Sequence, residues 1–84
     1  MRAPRDIFAD VLILRGFSVI GVTETDIRLS HPNLNTLKYV RVNNSTCFLY
    51  QHWDDQEFDD CITVKLYRER IEGQANGLCD MFGI

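Results

Sequence analysis

In "LKYVRVNNSTCFLYQHW", residues 37–53, two runs rich in β-branched and aromatic residues flank Asn43, Asn44 and Ser45, whose short polar side chains favour turn conformations. That pattern predicts a β-hairpin, and the alternation along its second arm gives Cys47 and Leu49 the same, core-facing side. Upstream, "HPNLN" breaks the ladder, because Pro32 has no amide hydrogen to donate. Before it, "IRLS" sets Ile27 and Leu29 against Arg28 and Ser30, and the polar turn "TETD" separates it from a further strand-like run, "FSVIGVT", beginning at Phe17. Downstream, "CITVKLYR" alternates Ile62, Val64 and Leu66 with Thr63, Lys65 and Tyr67. These runs predict an antiparallel sheet of about four to five strands.

The two ends read differently. Ile7, Phe8, Val11, Leu12 and Leu14 recur at helical spacing behind Pro4, and Gly16 is suited to a left-handed C-cap with Phe17 folding back, so residues 4 to 15 are predicted helical. In the tail, Ile71, Ala75, Leu78 and Phe82 have helical spacing, but Gly73 and Gly77 each cost about 1 kcal/mol in a helix interior. It is either a short helix or an irregular packed tail. The expected class is α+β, with the N-terminal helix lying across one face of the sheet.

Eighty-four residues, 45% hydrophobic and 25% charged, are the size and composition of a single compact globular domain, residues 1–84. A core this small leaves a thin stability margin, which self-association to a homodimer would widen. The net charge of -3 is unevenly spread, since residues 1–53 balance at +2 and the acidic excess lies after Trp53. An acidic chain is a poor generic polyanion binder, so no direct nucleic-acid partner is expected. Asp6 and Asp10 interrupt the N-terminal apolar run, excluding it as a signal core or membrane span. Cys47, Cys61 and Cys79 are odd in number and lack paired Cys-x2-Cys spacing, which points to free thiols in a reducing cytoplasm. On that reading the overlapping sequons at Asn43 and Asn44 are simply a turn.

The densest chemistry is "QHWDDQEFDD", residues 51–60, where Asp54, Asp55, Glu57, Asp59 and Asp60 surround Phe58 and follow Trp53. A solvated, solubilising connection is the plain account. The functional account is a protein contact: the carboxylates suit a partner's arginine- and lysine-lined, nucleic-acid-binding groove, and an aromatic serves as the buried anchor. The run lacks the spacing and glycine of an EF-hand loop, so no metal is expected, and no cofactor motif occurs. Thr63-Val64-Lys65 lacks the carboxylate that metal-dependent nucleases place two residues before a strand lysine, and neither His31 nor His52 has a sequence-adjacent catalytic partner. Both histidines read as hydrogen-bonded surface residues, and no catalytic residue is assigned. Cys47, His52 and Cys61 would need a fourth ligand to hold zinc, and a buried Cys47 is the better account. Tyr39, Phe48, Tyr50 and Tyr67 raise a base-stacking platform, but aromatics on the strands of so small a domain are expected in its core.

"DVLILRGFSVIGVTETDIRLSHPNLNTLKYVRV", residues 10–42, resembles the opening of HicA-type ribonuclease toxins, with Gly16-Phe17 and His31-Pro32 at matching places. The resemblance implies a double-stranded-RNA-binding-like fold. Thr25-Asp26-Ile27 stands where that family has a Gly-Ser followed by its catalytic histidine, so catalysis is not carried over. The leading expectation is a non-enzymatic inhibitor of a host nucleic-acid-handling defence complex, of the anti-CRISPR kind that phages and mobile elements encode, acting in the host cytoplasm. The alternative is a HicA-like RNA-binding or ribonuclease domain with a degenerate active site. A third is an assembly protein working through a sheet edge.

Overall fold

The computed structural model describes residues 2–34, 37–51 and 61–84. The N-terminal helix α1 spans Pro4–Leu14 and is followed by five strands, β1 (Ser18–Val22), β2 (Ile27–Ser30), β3 (Leu37–Val42), β4 (Thr46–Gln51) and β5 (Cys61–Lys65). A 3-10 turn at Arg68–Arg70 leads into the C-terminal helix α2, Ile71–Met81. The strands form one antiparallel meander in chain order, so every connection is local and β1 and β5 are its edges. The α+β class, the terminal helix on the sheet and the five strands agree with the sequence. The tail is a helix and not an irregular packed segment.

Both helices end by the same device. Gly16 (φ 101°) follows α1, with its N–H bonded to Ile13 O at 3.1 Å and the Phe17 N–H to Leu12 O at 3.0 Å, a Schellman closure that Cβ-free glycine permits. Arg15 is the C-cap, so α1 stops one residue earlier than the periodicity predicts. Gly83 (φ 74°) closes α2 in the same way. The helix survives Gly73 and Gly77 because Ile71, Ala75, Leu78 and Cys79 are buried on one stripe, and packing outweighs propensity.

Both helices pack on one face of the sheet. Phe8 and Leu12 of α1 meet Leu29, Val40, Val42, Cys47 and Leu49 in one apolar cluster, joined by the buried stripe of α2. Asn44, in the β3–β4 turn, accepts the Arg5 N–H at 3.2 Å, while the Arg5 guanidinium donates to the carbonyls of Thr23 and Glu24. At the far end Arg15 donates to Asp80, Asn76 and the Ile84 carbonyl, tying α1 to the end of α2. Asn43 Oδ1 accepts the N–H groups of Ser45 (2.8 Å) and Thr46 (2.7 Å), so the sequon side chain is committed within its turn.

Two expectations need correction. His31 is not a surface residue: it is 9% exposed, its Nε2 bonds the Arg15 carbonyl at 3.2 Å, and its Nδ1 accepts the Asn33 N–H at 3.1 Å. Its ring meets Phe17 edge-on at 5.1 Å, so Gly16-Phe17 and His31-Pro32, distant in sequence, build one joint between α1 and the β2–β3 connection. The strand aromatics are also misplaced by the sequence reading, because the core takes only one face of the sheet.

Candidate binding face

Alternation decides which side chains the helices leave uncovered. Val40 and Val42 in β3, and Cys47 and Leu49 in β4, point into the core, so Tyr39, Arg41, Phe48 and Tyr50 stand on the opposite face. The register aligns them into rows. Arg28, Arg41, Phe48 and Thr63 lie side by side across β2 to β5, next to a second row of Tyr39, Tyr50 and Cys61.

The rows form a connected array. Tyr39 and Tyr50 stack with centroids 4.4 Å apart and planes 22° apart, and the Arg28 guanidinium lies 5.8 Å from the Tyr39 ring. Arg41 lies 4.1 Å above the Phe48 ring. Its Nε and Nη2 donate to the Tyr50 hydroxyl at 3.2 and 3.1 Å, and its Nη1 to Asp26 Oδ2 at 3.1 Å. The Tyr50 hydrogen bonds, with Asp26 beside them, hold the Arg41 guanidinium above its ordinary pKa, so it is a fixed cation. Because the Tyr50 oxygen accepts from Arg41, its own hydrogen is left to donate. Tyr67, just past β5, is 47% exposed, with Lys65 at 5.8 Å and Arg70 at 5.5 Å from its ring.

Charge separates this face from the rest of the chain. None of the five strands contains Asp or Glu, yet they carry Arg28, Lys38, Arg41 and Lys65. Cross-strand register places Arg28 directly opposite Arg41, a like-charge pairing that costs stability unless an anion is near. Asp26 supplies one to Arg41. Among the described residues Arg28 and Lys65 have no carboxylate partner.

Trp53, Asp54, Asp55, Glu57, Phe58, Asp59 and Asp60, with His52, lie outside the described residues. Their segment joins β4 to β5 and so leaves from Gln51 and returns at Cys61, beside the second aromatic row. Cys47 and Cys61 take opposite faces and do not converge. Burial pushes the Cys47 thiol up to about 12 and also raises Cys79, leaving both as protonated core residues, whereas Cys61 is exposed. No group of three metal-ligating side chains assembles among the described residues, and no described helix is long and apolar enough to cross a membrane. An apolar groove of about 330 Å³ opens on the helix side between α2 and β4–β5, lined by Leu49, Ile62, Val64, Gly77, Met81 and Phe82. No protein-family model, curated protein or solved structure matches the chain.

Proposed function

We propose that this chain is a non-enzymatic binding protein directed at a nucleic-acid-handling complex, with the open face of its sheet as the principal contact surface. The observation that carries the proposal is the array on that face. Tyr and Arg are the residue types that dominate contact energies, and here their own stacking and hydrogen bonds hold them in place before any partner arrives. Preordering lowers the entropy that binding must otherwise spend on long side chains.

The acidic-aromatic segment 53–60 supplies a second contact of opposite sign. Five carboxylates suit a basic groove that normally holds nucleic acid, and Trp53 suits a desolvated anchor. A small acidic domain with these two surfaces fits an inhibitor of the kind phages and mobile elements encode, anti-CRISPR proteins being one such class, working in the host cytoplasm.

The test is capture from a bacterial lysate with tagged wild type and two folded variants. One carries Arg28→Glu with Lys65→Glu; the other neutralises Asp54, Asp55, Glu57, Asp59 and Asp60 to Asn or Gln. Wild type should retain a nucleic-acid-binding complex that the sheet variant loses, and the neutralised variant should associate more slowly and with less salt dependence. Equal capture by all three, with unchanged circular dichroism, would refute the proposal.

A further inference from the structure

We infer that the open sheet face binds single-stranded nucleic acid directly, an assignment that rests on that face being the contact surface and goes on to name its ligand. The net charge is an average over the chain: five of the 12 carboxylates lie in residues 54–60, a segment that rejoins the sheet at Cys61, whereas Lys65 stands at the other end of β5 and Arg28 on β2. The strands of the face carry no carboxylate, and their register crowds Arg28 against Arg41; Asp26 answers Arg41, which leaves Arg28 to an approaching anion.

The distribution of charge selects an extended ligand. Arg28 in β2 and Lys65 in β5 are three strand spacings apart, about 14 Å at ~4.8 Å each, which one small anion cannot bridge. Phe48 stands in register with Arg28 on the strand next to β5, and Tyr50 lies two residues further along β4; both are half-buried beside Arg41 and Tyr39, and aromatic rings of this kind stack unpaired bases of any sequence. The Tyr50 hydroxyl, accepting from Arg41, keeps a hydrogen to offer a phosphate or sugar oxygen. A duplex hides its base faces, so it would use the cations and forgo the rings. Sequence preference should be modest, since the rings stack any base and Arg41 is held by Tyr50 and Asp26, leaving Arg28 alone to read a guanine edge.

The experiment is fluorescence anisotropy with labelled 12-nucleotide oligo-uridine RNA, the matching oligo-thymidine DNA, and a 12-base-pair duplex at low salt. Folded wild type should bind a single strand, RNA or DNA, more tightly than the duplex. With about three phosphates neutralised, the logarithm of affinity should fall against the logarithm of salt with a slope of about -2. Phe48→Ala and Tyr50→Ala should each weaken binding roughly tenfold. Arg28→Gln with Lys65→Gln should lower affinity and flatten the slope, whereas Arg68→Gln, exposed but off the strands, should leave both unchanged. No strand binding by folded wild type, preference for the duplex, or equal losses in the sheet variants and Arg68→Gln would each overturn the inference. If the sheet variant loses its captured complex while wild type ignores both single strands, the face remains a contact surface and only its nucleic-acid assignment fails.

Discussion

Replacing Gly16 with alanine should lower stability by about 3 kcal/mol, a drop in melting temperature of roughly 10–20 °C for a domain of this size. Two costs combine. At φ 101° an L side chain is strained, by roughly 1–2 kcal/mol. The new Cβ would also stand 2.7 Å from His31 Nε2, an atom that has no room to retreat because the ring is buried, bonded at both nitrogens and braced by Phe17. Displacing it frees the Arg15 carbonyl and the Asn33 N–H at once. The Gly16→Ala/His31→Ala pair should therefore be non-additive, the double variant losing at least about 1 kcal/mol less than the sum of the singles. A Gly16→Ala protein that melts within ~3 °C of wild type would show that the joint carries no such strain.

Phe8→Ala should be comparably severe, at about 3–5 kcal/mol. Phe8 is fully buried at the meeting of α1, α2 and the sheet, and it also forms part of the wall of the 330 Å³ groove. Truncating it would join the new cavity to that groove and admit water, which limits collapse around the defect. Total stability for 84 residues is on the order of 4–13 kcal/mol, so chemical denaturation should show a weak or missing folded baseline. Phe8→Leu, which keeps most of the volume, should cost less than about 1.5 kcal/mol. If Phe8→Ala unfolds at nearly the wild-type denaturant midpoint, the core is not organised around that ring.

The local elements were legible in the sequence because their signals are local. Pro4 and Gly16 bracket α1, Asn43 closes the β3–β4 turn with its own side chain, and alternation assigns Ile27, Leu29, Cys47 and Leu49 to the core. His31 was not legible, because its burial depends on Gly16 and Phe17 arriving beside it from the other side of the β1–β2 hairpin. The aromatic and arginine face of the sheet was half legible. The same alternation that buried Val40 and Leu49 sets Tyr39, Arg41, Phe48 and Tyr50 together on the other side, but it does not say whether a helix covers that side. Both described helices pack on the other side, so among the described residues no helix covers it. The connection 52–60 is distinctive by its composition, five carboxylates around Phe58.

Site-specific photo-crosslinking in bacterial cells locates the contact surface without prior identification of the partner. A photoreactive residue is placed at Thr63, exposed on the edge strand β5 of the open face opposite Phe48, or at Glu72, exposed on α2 on the helix side of the sheet. Irradiation should give discrete protein or nucleic-acid adducts from Thr63 that disappear when Arg28 and Lys65 are changed to Glu, and none from Glu72. Adducts from Glu72 with none from Thr63 would place the contact surface on the helices and contradict the account.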